Sequence, residues 1–285
     1  MHDNSAILLI AAPDKKGLVY TITEFIYKNQ GNLLHAEQHI DVTNNIFFMR
    51  LEWDLSKFVI PSSQIWQALS EIRQVWNMDM QLYFSYNKPK AAIFVSKSDH
   101  CLFDLLHKHQ NGELQMDIGL IISNHENNQR SADFFNIPFK FFPILKENKE
   151  EQELQQLAVL AQKDIELVVL ARYMQVLTPR FVDTYKNRII NVHHSFLPAF
   201  VGANPYEQAY KRGVKVIGST AHYVTETLDD GPIISQRVVE VSHKDNLQEF
   251  VLKGKELEKL VLANAVKKHI ERKILVFQNK TVVFD

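Results

Sequence analysis

Asn191 and His193 stand two residues apart after the apolar pair Ile189-Ile190, in the stretch Asn191-Val192-His193-His194-Ser195-Phe196-Leu197-Pro198. In an extended segment, side chains i and i+2 point to one face, so the amide and the imidazole can converge on a single substrate atom. An amide can hold a developing oxyanion and an imidazole can move a proton near neutral pH, which together are much of what acyl transfer needs. Pro198 stops the strand from continuing. An imidazole that must be charged or correctly oriented needs an acidic partner. Downstream, Thr227-Leu228-Asp229-Asp230-Gly231-Pro232 supplies a carboxylate just before a Gly-Pro turn that launches another apolar run, Ile233-Ile234.

The elements that must position these groups follow from periodicity. Residues 91–95, 118–122, 139–142, 167–170 and 188–192 read as strands. Helical stretches separate them, the clearest being 150–163 with Leu154, Leu157, Val159 and Leu160 apolar. Such alternation predicts a doubly wound sheet, mostly parallel in its first half, in which ligands sit outside the carboxyl ends of the strands. Asn191 lies at one such end, and Arg172-Tyr173-Met174 follows another. Beyond the site stretch, 214–224 and 233–241 read as long added strands, 246–272 as one long helix, and 274–277 with 282–284 as a terminal hairpin.

Ahead of this lies a smaller unit. A strand at 7–11, a helix carrying Leu18, Ile22, Phe25 and Ile26, and two strands hinged at Thr43-Asn44-Asn45 are followed by a helix from Pro61 with Ile65, Leu69, Ile72 and Trp76 on one face, then a strand at 80–84. The order β-α-β-β-α-β is that of the ferredoxin-like unit, which by itself decides nothing about function. Asn87-Lys88-Pro89-Lys90 is a polar, proline-containing break. The expected fold class is therefore α/β, with a unit over 1–86, a linker over 87–90 and a larger domain over 91–285.

Composition narrows the function classes. The chain has 285 residues, long enough for about two domains. Thirty-two basic against 33 acidic residues leave a formal charge of -1, so nothing global favours nucleic acid or an anionic membrane as partner. The single cysteine, Cys101, excludes an intrachain disulfide and a cysteine-based zinc cluster, and it fits a small apolar residue at a helix start. The first residues run straight into an apolar strand without a signal-peptide pattern, and no uncharged apolar run reaches the roughly eighteen residues of a membrane span. The expected location is cytoplasmic. His193, His194 and His222 lack HExxH or another usual metal-ligand spacing, so no metal is expected. His222 fits equally a packed core histidine and a support behind the site; Asp230 fits a solvated turn residue.

The octapeptide 191–198, together with Leu228-Asp229-Asp230-Gly231-Pro232, resembles the signature of the folate-dependent formyltransferases. The resemblance implies catalytic roles for Asn191, His193 and Asp229, and places no catalytic role on His194. It also implies a folate-binding segment at Arg172, Tyr173, Met174, Gln175, Val176 and Leu177; the competing reading is that Arg172 and Tyr173 simply cover the sheet end and that the apolar members belong to the core. The stretch Pro13-Asp14-Lys15-Lys16-Gly17-Leu18-Val19, with Gly31-Asn32-Leu33-Leu34, resembles an ACT domain. Effector contacts at Asp14, Gly17, Leu18 and Asn32 follow from that likeness, with an amino acid such as methionine or glycine as effector and a homo-oligomer, dimer or tetramer, as the assembly. The alternative is a unit that only mediates assembly. Ser131 to Phe139 and Phe200 to Tyr206 are similar to the branch of the family that joins both parts.

That branch hydrolyses 10-formyltetrahydrofolate to formate and tetrahydrofolate, which supplies formate and balances the one-carbon pool for purine synthesis; the folate is substrate, and no cofactor is implied. The residues point the same way. Ser96-Lys97-Ser98-Asp99-His100-Cys101, after the first strand of the larger domain, has no glycine and carries an acid, so a phosphorylated acceptor would sit badly there. The net charge promises no transfer-RNA docking surface. Water remains as acceptor. The competing expectations are formyl transfer to an amine such as glycinamide ribonucleotide, and a folate-binding amino-acid sensor without activity.

Overall fold

Two units emerge in the computed structural model, which describes residues 4–199 and 205–285. The first comprises Met1–Lys88 with Glu271–Phe277 and Val282–Asp285, the second Pro89–Ile270 with Gln278–Thr281.

The first unit contains β1 (Ser5–Pro13), α1 (Leu18–Lys28), β2 (Asn32–Asp41), β3 (Ile46–Asp54), α2 (Ser62–Ala68), α3 (Ser70–Val75) and β4 (Asp79–Phe84). Its antiparallel sheet runs β2-β3-β1-β4. Leu8 and Ile10 of β1 pack with Leu18, Ile22 and Ile26 of α1 in one core. The single helix expected from Pro61 is interrupted for one residue at Leu69, whose ψ of -7° departs from the regular helical value. Because the interruption is so short, Ile65 and Leu69 stay on one buried face.

The apolar run of β1 does not alternate with polar residues, because both its faces are covered. Leu9 and Phe48 on the second face cluster with Leu275 and Phe284. The last two strands, β12 (Ile274–Phe277) and β13 (Lys280–Val283), thus place residues 271–277 and 282–285 in the first unit rather than in the larger domain expected over 91–285.

In the second unit, β5 (Lys90–Val95), α4 (His100–Gln110), β6 (Asp117–Ser123), α5 (Gln129–Phe134), β7 (Phe139–Phe141), α6 (Lys149–Gln162), β8 (Leu167–Leu170), α7 (Pro179–Thr184) and β9 (Ile189–His193) alternate. Then follow α8 (Pro205–Arg212), β10 (Val216–Tyr223), β11 (Ile233–Glu240) and α9 (Leu247–Ile270). The sheet order is β11-β10-β9-β8-β5-β6-β7. Strands β5 to β9 are parallel, and β10 and β11 add antiparallel to that edge. The chain winds outward from β5 to β7, then returns to β8 on the other side, so the order reverses between β5 and β8. Open α/β sheets characteristically bind ligands beside such a reversal.

Helix α6 departs from the expected apolar face. Leu160 is buried, but Leu154 is 41% exposed, while Glu153 and Gln156 are fully inside. Residues 153, 156 and 160 share a face at helical spacing. Polar contacts from that face, described below, turn the helix away from its simplest hydrophobic phase.

Candidate active site

The loop after β8 is held at both ends. Ser96, just past β5, donates its N–H to the Arg172 carbonyl at 3.3 Å, and its hydroxyl accepts the Met174 N–H at 2.9 Å. The same hydroxyl donates to Asn124 Oδ1 at 2.7 Å, and Asn128 Nδ2 donates to the Ser96 carbonyl at 2.6 Å. At the far end, the Glu153 carboxylate accepts the Thr178 N–H at 3.0 Å and also the Thr178 hydroxyl. Gln156 Nε2 donates to the Tyr173 hydroxyl at 3.4 Å, and burial pushes that phenol up from its ordinary value. Between these clamps Met174 and Val176 remain more than half exposed. A fixed backbone with apolar side chains left open is a surface for a flat ring. Ser96, Asn124, Asn128, Glu153, Gln156 and Thr178 were missed in the sequence; only Glu153 and Gln156 carried a signal, as polar residues in the apolar phase of an amphipathic helix.

Strand β9 then brings Asn191 and His193 onto one face. Opposite it, His222 of β10 pairs with Asn191, and a register shift between Ala221 and His222 marks a bulge against β11. Bulges of this kind re-aim side chains beside sites. His222 Nδ1 lies 2.9 Å from the Tyr223 carbonyl, which can only accept, so Nδ1 carries the proton. Burial pushes the His222 imidazole below its ordinary value, against the opposing pull of that bond and of Asp229, and keeps the ring neutral. Its Nε2 is then an acceptor. The Asn191 atom 3.3 Å away must accordingly be Nδ2, which leaves the second N–H of that amide free to donate elsewhere.

Asp229 reaches the same place from the β10–β11 loop. Its φ of 57° is left-handed, a conformation that Asp and Asn adopt more readily than other side-chain-bearing residues. Gly231 makes the turn possible, since a Cβ there would lie 1.7 Å from the Tyr223 carbonyl oxygen. Asn279 Nδ2 donates to the Asp230 carbonyl at 2.8 Å and fixes the outer side of the loop. Asp229 Oδ2 stands 3.2 Å from His193 Nδ1, and its Oδ1 stands 3.9 Å from His222 Nε2. Burial pushes the Asp229 carboxyl up, but the His193 hydrogen bond and the neighbouring imidazoles outweigh it, and the net pKa lies below the ordinary value. His193 Nε2 is buried without a hydrogen-bond partner among the described residues. Buried polar atoms are otherwise almost always hydrogen-bonded, and catalytic groups are among the exceptions.

These groups enclose one cavity of about 410 Å³, within the usual range for small-molecule sites. All six residues of the expected folate segment, 172–177, line it, as do Asn191, His193, Asp229, His194 and His222. His194 is pushed down to about 4, first by burial and then by the Arg172 guanidinium. Among the described residues, the one group of metal-ligand type close enough to share an ion is His100, Cys101 and Glu258, not the three histidines 193, 194 and 222. Of the motif 200–206, residues 200–204 lie outside the described residues.

The expected effector residues divide. Asp14, Gly17 and Leu18 line a shallow pocket of about 500 Å³ with Tyr20 and Phe47, and Gly17 takes φ 99° there. Asn32 is not among them. Pro13 pairs with Ile46 at one end of β3, whereas Asn32 pairs with Asp54 at the other. Eight residues of strand put those ends roughly 27 Å apart.

A mostly parallel sheet with an amide, an imidazole and a carboxylate gathered beside its reversal point defines an acyl-transfer type of enzyme. Residues 89–266 match the family described as Formyl transferase. A formyltetrahydrofolate deformylase of Synechocystis sp. is 50% identical over 284 residues, covering 100% of both chains. The crystal structure of a formyltetrahydrofolate deformylase from Pseudomonas syringae pv. tomato superposes with a TM-score of 0.97 at 40% identity, covering 99% of this chain and 95% of that one. A glycinamide ribonucleotide transformylase from Symbiobacterium toebii matches 72% of this chain and 98% of its own, at 25% identity and a TM-score of 0.66. The chain belongs to the formyltetrahydrofolate deformylases, within the formyl transferase family. No helix among the described residues is long and apolar enough to cross a membrane.

Proposed function

We propose that this chain hydrolyses 10-formyltetrahydrofolate to formate and tetrahydrofolate, with Asn191, His193 and Asp229 as its catalytic groups and the 172–177 loop as the seat of the pterin. The observation that carries this reading is the unpaired, buried His193 Nε2 opening into a cavity shared with Asn191 and Asp229. Water adds to the formyl carbon, passing one proton to the Asp229 carboxylate, and the carbonyl oxygen becomes an oxyanion. The free N–H of Asn191 and the His193 ring are the groups placed to receive it, and Asp229 pairs with that ring or orients the attacking water. The C–N bond to the folate then breaks. His193 or a water delivers a proton to the departing nitrogen, and formate leaves.

The reaction matters as a source of formate and as a balance on the one-carbon pool that feeds purine synthesis. Control is assigned to the first unit, read as an ACT domain that takes an amino acid such as methionine or glycine in a homo-oligomer. The Asp14, Gly17 and Leu18 pocket supports that reading. Asn32, at the far end of the same sheet, could join it only from a second copy of the chain.

Incubation with 10-formyltetrahydrofolate alone, following formate and tetrahydrofolate, tests the activity. Equal amounts of both are expected. Absence of formate release without an added amine would overturn hydrolysis in favour of transfer.

A further inference from the structure

Behind the catalytic groups stands a wall whose purpose the hydrolytic steps do not explain. His194 lines the 410 Å³ cavity and also a second, almost wholly apolar cavity of about 270 Å³. Tyr206 lines only the second, and Arg172 only the first. The His194 and Tyr206 rings meet edge to face with centroids 5.7 Å apart. Glu258, 1% exposed, ties the parts together. It accepts the Tyr206 hydroxyl at 2.6 Å and pairs with His100 Nε2 at 2.9 Å. Arg172 Nε lies 3.4 Å away, an ion pair without hydrogen-bond geometry.

Helix α9 is shaped for this. Gly254 and Glu258 are four residues apart on one face, and a Cβ at Gly254 would fall 2.1 Å from the Tyr206 ring. The helix thus makes room for the ring with one residue and holds its hydroxyl with the other. Arg172 adopts φ 63°, a left-handed conformation that is strained for a non-glycine residue. A glycine would serve that turn with less strain, so the guanidinium is what the position retains. Buried carboxylates are tolerated when their partners are complete, and Glu258 has three.

Resting on the hydrolytic reading above, we propose that Arg172, His194 and Tyr206, braced by Glu258, form the partition that restricts the formyl acceptor to water. A water molecule claims only ~30 Å³ and fits beside a bound folate. On this proposal an amine bearing substituents would have to extend past His194, the residue that lines both cavities.

The test gives full-length enzyme 10-formyltetrahydrofolate and glycinamide together and measures N-formylglycinamide against formate. Wild type is expected to yield formate. Tyr206→Ala, which removes the ring packed against His194, and Arg172→Gly, which suits the left-handed backbone, should each raise the formylamide share by roughly tenfold or more, the scale on which a pocket wall discriminates acceptors. Tyr206→Phe keeps the ring and should leave the share low. The proposal fails if both opened variants still release formate without a larger formylamide share, if they bind folate yet pass formyl to neither acceptor, or if wild type formylates the amine as readily as they do. A wild type that releases no formate at all would instead sink the hydrolytic reading on which the partition rests.

Discussion

Asp229→Asn isolates the charge of the site from its shape. Asparagine is nearly isosteric with aspartate and tolerates the φ of 57° found there, whereas alanine would add backbone strain. The two side chains concerned are 6% and 7% exposed, and their atoms stand 3.2 Å apart, so the contact is a charge-assisted hydrogen bond shielded from water. Such bonds contribute about 1.5 to 3 kcal/mol. If that stabilisation is needed when the imidazole is protonated in the transition state, turnover should fall by about one to two decades. Folate affinity should hold, because the 172–177 loop is clamped by Ser96 and Glu153 instead. Stability offers an independent reading. The Asp229 carboxyl lies below its ordinary 3.8 in the folded protein, so its contribution is fully present above that pH and is lost as pH falls through the folded value. The variant should therefore melt lower than wild type at neutral pH, and the gap should close in acid. Steady-state formate release, with calorimetry across pH, measures both. Turnover within about twofold of wild type, in a variant that is folded and saturable, would refute the role given to this carboxylate.

Asn191→Ala removes one oxyanion donor, which typically costs ~2.7 to 4 kcal/mol of barrier, so kcat should drop by about two to three decades while folate still binds, as titration of folate fluorescence would check. Gly231→Ala forces a Cβ against the Tyr223 carbonyl and should displace the Asp229 loop; the expected result is loss of turnover with a lowered melting temperature, and an unaltered enzyme would contradict the close approach. His194 falls from 6.5 in the unfolded chain to about 4 when folded, so acid favours the unfolded state: stability on the order of 3 kcal/mol should drain away as pH drops from 6.5 toward 4. Unfolding titrations of wild type and His194→Gln measure this, and equal slopes in that window would contradict the burial of the ring.

The alternation of apolar runs was enough to order the strands and helices, because each central strand is buried on both faces and each hairpin carries its own turn residues. The i, i+2 spacing of Asn191 and His193 likewise placed them on one face, since pleating is a local property of the backbone. What no local pattern contains is the company these residues keep. Asp229 meets His193 only because β10 folds back antiparallel to β9 and Gly231 lets the loop pass the Tyr223 carbonyl. Glu153 and Gln156 look like an error in an amphipathic helix until Thr178 and Tyr173 are brought against them. The strands that close the chain read as a simple hairpin, and only the second apolar face of β1 draws Leu275 and Phe284 into the first unit. Residue type and period decide local geometry and which surfaces seek burial. Which buried polar group satisfies which other is settled by contacts across long stretches of chain, so the Glu258 partition and the tautomer of His222 belong to the tertiary structure alone.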